Sequence, residues 1–476
     1  MAIKLRQAGF QSVLLLERSA SVGGTWRDNH YPGAACDIAS HLYSFSFSLN
    51  PDWSRTYPGQ PEILAYLRAS AEHNGLIEHT RFNTQVTGAA FDPSRLCWQV
   101  ETDRGPLHCR FLILGTGGLS EPAVPNLPGL HSFAGRTFHS ARWDHGYALE
   151  GKRVAVIGTG ASAIQFVPRI APQVERLIVF QRTPAWVVPR QDHPFSALRK
   201  ALYRYIPGVM RLKRWGIHWL NEVQAVGTVV DPKYMALGEK GALKHLQQQV
   251  ADPGLRARLT PDYVMGCKRI LISNDWYPAL QRDNTSLVSE AIEQITPSGV
   301  MTRDGHVREV DAIIFGTGFQ ATEAFATLSI RGRLGRELNE VWAQGAEAYV
   351  GASVSGFPNL FLITGPNTGL GHNSMVFIIE ANVAHIVGAL NAARRAEARV
   401  VEVKREVQAR YNVKLQQRLA KSVWATGCKS WYQDKVTGKV TTLWPGFSTQ
   451  YWAAAHRFNA DDYLLLGTGS AQVDAR

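Results

Sequence analysis

Lys152-Arg-Val-Ala-Val-Ile157 runs straight into Gly158-Thr159-Gly160-Ala161-Ser162-Ala163 and on into Ile164-Gln-Phe-Val. A short apolar run, a glycine turn and an amphipathic continuation read as strand, tight loop and helix. In that setting G-x-G-x-x-A puts backbone N–H groups and a helix N-terminus where a dinucleotide pyrophosphate can sit. The motif alone is weak, and the strand before it and helix after it give it weight. The next apolar run, Leu177-Ile-Val-Phe180, ends in Gln181-Arg182-Thr183. A carboxylate there would accept from a ribose 2′-hydroxyl. Arg182 and the Thr183 hydroxyl suit a 2′-phosphate instead, which selects NADPH over NADH. The plainer alternative is a surface arginine at a strand end.

A second unit of the same kind opens the chain. Ala2 to Gly9 reads as a short helix, and Ser12-Val-Leu-Leu-Leu-Glu17 as a buried parallel strand ending in a carboxylate. Glu17 is placed to accept from ribose hydroxyls. Arg110-Phe-Leu-Ile-Leu-Gly115-Thr-Gly117 has a near-copy in Asp311-Ala-Ile-Ile-Phe-Gly316-Thr-Gly318-Phe319, as where strands return at the junction of two nucleotide folds. Between Gln191 and Pro261 the residues are Leu-, Arg-, Lys- and Gln-rich at helical spacing. The expected fold is α/β, with two Rossmann-like dinucleotide-binding domains and a helical insertion. The expected division is 1–145 and 319–476 for the first domain, 146–190 and 261–318 for the second, and 191–260 for the insertion.

Bulk properties narrow the function. The 476 residues are 45% hydrophobic, enough for a large core, and the net charge of +12 suits polyanionic ligands. Basic residues are dispersed and no nucleic-acid module is visible, so nucleic acid is not an expected partner. No run reaches the ~20 apolar residues of a transmembrane segment. The run at Met375-Val-Phe-Ile-Ile is interrupted by Glu380, Asn382 and His385. The basic stretch Arg199 to Arg214, with Trp215 and Trp219 after it, is read as an amphipathic insert with a solvated basic face, contact with a membrane surface being the weaker alternative. Cys36, Cys97, Cys109, Cys267 and Cys428 are odd in number and never in C-x-x-C spacing. Disulfides and metal sites are therefore not expected, and a reduced, cytoplasmic setting is.

Ahead of the quoted motif stands Phe133-Ala-Gly135-Arg-Thr-Phe-His139-Ser-Ala-Arg-Trp143-Asp144. This F-x-G-x-x-x-H-x-x-x-W-D pattern beside a dinucleotide motif resembles the Baeyer–Villiger monooxygenases, flavoenzymes that insert oxygen beside a ketone carbonyl. Related nitrogen- and sulfur-oxidising flavin monooxygenases end the pattern in Tyr or Phe. The plainer alternative is that Phe133, His139 and Trp143 only pack an interdomain linker. Gly23-Gly24-Thr25-Trp26 and Tyr31-Pro-Gly33-Ala-Ala-Cys36-Asp37 continue the resemblance, as do Tyr43, Lys268-Arg269 and the stretch Gly365 to Met375. Glycines in these loops allow backbone to approach the cofactor closely.

The resemblance implies FAD and NADPH as cofactors and O2 with a small ketone, sulfide or amine as substrates. NADPH reduces the flavin, which forms a C4a-peroxide with O2, and the product is an ester or lactone. By position Glu17, Gly24, Thr25, Trp26, Asp37, Tyr43, Val86 and Met375 would contact FAD. Gly158, Thr159, Gly160, Ala161, Ser162, Arg182, Thr183 and Lys268 would hold NADPH, with Trp431 against its ribose. Arg269 would stabilise the reacting oxygen anion, and Asp37 would orient that arginine. The rival readings are N- or S-oxygenation, and an NADP-binding remnant without flavin. The strand and G-x-G-x-x-G expected ahead of Glu17 are not in this sequence, and Met1 falls where the first helix is already under way. The expectation is a translation start assigned at an internal Met, a truly truncated gene being the alternative, and a polypeptide that as given binds FAD poorly.

Overall fold

The structure, a computed structural model, describes all residues except 321–327, 429, 435 and 468–476. Its central layer is a five-stranded sheet in the order Thr285–Val288, Arg176–Phe180, Arg153–Ile157, Ala312–Phe315, Arg136–His139, every pair parallel. The strands are continuous apolar runs because both faces are covered. Val154, Ala155, Val156, Ile313 and Ile314 have no exposed surface. Helix Ala163–Ile170 lies on one face and buries Ala163, Ile164, Phe166, Val167 and Ile170. The edge strand Arg136–His139 carries the middle of the F-x-G-x-x-x-H pattern, so this sheet begins ahead of the expected boundary at residue 146.

The first nucleotide fold is built from smaller pieces. Leu15–Leu16 pairs in parallel with Thr80–Arg81, and Leu112–Leu114 with Leu360–Leu362. A four-stranded sheet holds Ser329–Arg331, Val86–Asp92, Cys97–Thr102 and Leu107–Cys109. The core helix is Met375–Arg395, with Ile378, Ala381, Ile386, Ala389 and Ala393 fully buried. Its length and mean hydropathy of 1.5 would suit a bilayer, yet 56% of that apolar window is buried inside the protein. Its polar residues have partners. Asn382 accepts from Tyr451 at 3.0 Å, and His385 reaches the Ala455 carbonyl at 3.0 Å and the Tyr463 hydroxyl at 2.7 Å.

The span expected to be a helical insertion carries helices Ala197–Tyr205, Val209–Gln224, Val226–Val229, Met235–Gln249 and Pro253–Leu259. The expected solvated basic face is present in Arg199, Arg204, Arg211 and Lys213, which are exposed, but it is shared with apolar side chains and Arg214 does not belong to it. In Val209–Gln224 the polar residues Arg214, His218 and Glu222 turn inward, and Leu212, Trp215, Trp219, Leu220 and Val223 face water. The reason is that the inward groups find specific partners. Arg214 donates to the carbonyls of His41, Leu42 and Ser44 at 3.0, 3.0 and 2.6 Å.

The absence of disulfides is also overturned. Cys267 and Cys428 are bonded across 161 residues with Cα atoms 6.2 Å apart, while Cys36, Cys97 and Cys109 are free. Local spacing reveals only neighbouring pairs, and this pair is made by the fold.

Candidate active site

The loop bearing Asp37 is fixed first to the other nucleotide fold. Gly33 has φ +82°, and a Cβ there would come within 2.7 Å of the Gln165 carbonyl oxygen on helix Ala163–Ile170. Its glycine thus allows close contact with that helix. The Gln165 side chain completes the attachment, accepting from Tyr31 Oη at 3.0 Å and Ala35 N at 3.2 Å and donating to the Ala35 carbonyl at 3.0 Å. Behind the loop, Cys36 is buried against Trp53 and Ile63.

Arg269 arrives just ahead of strand Leu271–Ile272, which pairs in parallel with Val187–Val188. Its Nε and Nη2 both donate to Asp37 Oδ2, at 3.0 and 2.5 Å. About a third of each side chain is exposed, 32% for Arg269 and 29% for Asp37. The Asp37 charge raises the Arg269 pKa against the opposing effect of burial, so the guanidinium is a fixed cation. Tyr432 is buried beside it, and burial pushes that hydroxyl's pKa up. Trp26 Nε1 donates to Tyr43 Oη at 3.0 Å, and Tyr43 feels the Asp37 and Arg269 charges. The sequence reading singled out Trp431, which is 47% exposed and lies over Tyr432 at a ring separation of 4.4 Å. Tyr432, its neighbour, is the residue that meets Arg269.

The second site is shaped by close backbone contact. Gly158 has φ +108°, and a Cβ would sit 2.5 Å from the Gly316 carbonyl. The first glycine of G-x-G-x-x-A is therefore locked against the later copy of the Gly-Thr-Gly turn. Thr159 Oγ1 donates to the Thr183 carbonyl at 3.4 Å, tying the turn to the next strand end. Arg182 is exposed, and Lys268 holds its ammonium 4.6 Å from the centre of the Tyr263 ring. Burial and then the Arg182 charge lower the Lys268 pKa, with Asp262 opposing in part.

Gly24 stands open. Its φ of +49° and the absence of any atom within 4 Å of a built Cβ leave backbone open to a close ligand. Glu17 accepts from Ser19 N at 2.9 Å and lies 3.4 Å from Arg27. Val86 opens its strand against the core, and Met375 opens the long helix that Ser374 caps by accepting from Val376 N at 3.3 Å.

The F-x-G-x-x-x-H-x-x-x-W-D residues lie along the edge strand and the turn after it. A Cβ at Gly135 would sit 2.4 Å from the Asp311 carbonyl. His139 ends the strand, accepts from Ala141 N at 3.1 Å, and is buried enough that its pKa falls to about 4. Trp143 is 7% exposed inside the core of the second fold, against Phe138 and Phe166 at 5.2 Å each. Asp144 accepts from Arg136 Nε at 2.8 Å and Gly146 N at 3.0 Å. Phe133 packs under the three-stranded antiparallel sheet of residues 292–309. For Trp143 the packing alternative describes the contacts made.

One polar centre was missed altogether. Glu222, 3% exposed, lies 3.2 Å from His372 Nε2 and accepts from Asn373 Nδ2 at 2.8 Å and Ser448 Oγ at 2.7 Å. Its second oxygen accepts from Thr449 N and Oγ1 at 3.3 and 3.0 Å. Burial would raise its pKa, but these hydrogen bonds overcome burial and hold it well below the carboxylate range. It caps helix Ser448–Ala455 and fastens the insertion beside Met375. In sequence it was one acid in a basic helix, with no local signal.

Residues 11–206 match the flavin-binding monooxygenase-like family. The chain is 48% identical over 475 residues to a Baeyer–Villiger monooxygenase of Pseudomonas aeruginosa, covering 99% of this chain and 90% of that one. It is 45% identical to a Baeyer–Villiger monooxygenase of Streptomyces coelicolor, covering 100% and 92%. Among solved structures it is similar to an oxidised, NADP-bound steroid monooxygenase (TM-score 0.84, 32% identity, 98% and 96% covered). It is also similar to a closed form of cyclohexanone monooxygenase (TM-score 0.86, 29% identity, 98% and 96% covered). With relatives this similar over nearly its whole length, the chain belongs to the Baeyer–Villiger monooxygenases, the FAD- and NADPH-dependent oxygenating branch of the flavin-binding monooxygenase-like family.

Proposed function

We propose that this enzyme converts a small-molecule ketone to an ester or lactone, and that the Arg269–Asp37 pair carries the oxygen-transfer step. The overall balance is ketone, O2, NADPH and a proton to ester, water and NADP+. Bound FAD supplies hydride acceptance from NADPH and activation of O2. The residues around it supply charge and position. Arg269 presents a cation that cannot deprotonate, aimed by Asp37, where negative charge builds on the ketone oxygen during addition. Tyr432 and the Trp26–Tyr43 pair wall the same spot and limit water. Lys268 and Arg182 hold the 2′-phosphate of NADPH, with the Gly158–Ala163 turn under its pyrophosphate.

The observation that carries this reading is the single-oxygen contact from Asp37 to two nitrogens of Arg269. It is tested by supplying purified protein with FAD, NADPH and a panel of cyclic and linear ketones, sulfides and amines, and identifying products by mass. Esters or lactones formed in step with NADPH consumption are expected. Oxygenation of sulfides and amines with no ketone product would replace this reading with the N- and S-oxygenating one.

A further inference from the structure

We propose that the outward face of helix Val209–Gln224 rests on an anionic lipid membrane. The helix is turned inside out. Arg214, His218 and Glu222, four residues apart, face the protein, and Leu212, Trp215, Trp219, Leu220 and Val223 are 74, 51, 55, 59 and 68% exposed. At 3.6 residues per turn these five side chains fall in one arc of roughly 140°. The arc cannot roll inward, because Arg214 is bonded to three carbonyls of residues 41–44 and Glu222 to residues 373, 448 and 449.

Charge selects the occupant. Arg211 and Lys213 are exposed, Lys213 at the edge of the arc beside Leu220 and Arg211 in the first turn of the helix. No Asp or Glu occurs between Asp192 and Glu222, and Glu222 is buried. A second copy of this face would bring cation against cation with no carboxylate to meet them. A lipid surface with anionic headgroups supplies the opposite charge, apolar depth for Leu212 and Val223, and the interfacial level that tryptophan favours. The proposal is independent of the ketone reading.

The test uses the full chain with vesicles of phosphatidylcholine alone and of phosphatidylcholine mixed with phosphatidylglycerol, read by co-sedimentation and by tryptophan quenching with brominated lipid. Binding to the mixed vesicles is expected, weakened by salt and about tenfold weaker on phosphatidylcholine alone. The pair Leu212→Gln and Trp219→Gln, and separately the pair Arg211→Glu and Lys213→Glu, should each lose about tenfold while keeping the wild-type circular dichroism. Absence of vesicle binding by wild type, or variants that bind as it does, would overturn the proposal. Lipid-free self-association abolished by the Leu212 and Trp219 changes would overturn it in favour of a second copy.

Discussion

Asp37 and Arg269, 232 residues apart, meet through one carboxylate oxygen that accepts from both Nε and Nη2 of the guanidinium. This grips the arginine by one edge and fixes its plane. If that cation assists oxygen transfer, Arg269→Ala should lower ester formation by a hundredfold to a thousandfold, about 2.7–4 kcal/mol. Flavin reduction by NADPH should persist. Stopped-flow absorbance separates the two half-reactions, and ketone oxygenation at wild-type rate in the variant would remove Arg269 from the chemistry.

Arg182 and Lys268 should divide one task between them. Arg182→Ala removes a charged donor worth ~1.5–3 kcal/mol to a phosphate. The KM for NADPH should rise about tenfold or more, with NADH use little changed. Equal losses for both coenzymes would make Arg182 a structural residue.

Glu222 fastens the insertion to the N-terminus of helix Ser448–Ala455. Glu222→Ala leaves the Asn373, Ser448 and Thr449 donors buried without their acceptor, and should cost roughly 3–5 kcal/mol in urea unfolding. Glu222→Gln keeps an acceptor and should cost less. Equal stability of the alanine variant and wild type would show that the cluster holds nothing together.

Burial lowers the pKa of His41, His139 and His385 to about 4 each. Their unfolded value is near 6.5, so the unfolded chain takes up protons first as pH falls. Stability from these groups is complete above about pH 6.5 and is lost from there down toward pH 4. Unfolding midpoints measured between pH 7 and 5 should fall, and His139→Asn should make the fall shallower. An unchanged slope in that variant would place the uptake at other groups.

What was legible in the sequence was what local order encodes. The Val154–Ile157 strand, its glycine turn and the following helix were readable because apolar runs and a left-handed glycine are local features. Asp37 and Arg269 were found because their loops carry distinctive neighbours. Tyr432 was overlooked beside Trp431 because two adjacent aromatics do not announce which one turns inward. Periodicity in Val209–Gln224 revealed two faces but not their direction, which depends on acceptors at residues 41–44 and donors at 373, 448 and 449. Cys267 and Cys428 could be paired only by the fold that brings them together.

The contact between Gly33 and Gln165 has a mechanical consequence. Backbone meets backbone there, and one amide clasps the loop at Tyr31 and at both polar groups of Ala35, so the loop is pinned to the helix at several points. Asp37, four residues from Gly33, is thereby held at a set distance from helix Ala163–Ile170. A side chain at Gly33 would press on the Gln165 carbonyl from a left-handed backbone, so a Gly33→Val exchange acts on Asp37 through its loop without touching either reacting group directly.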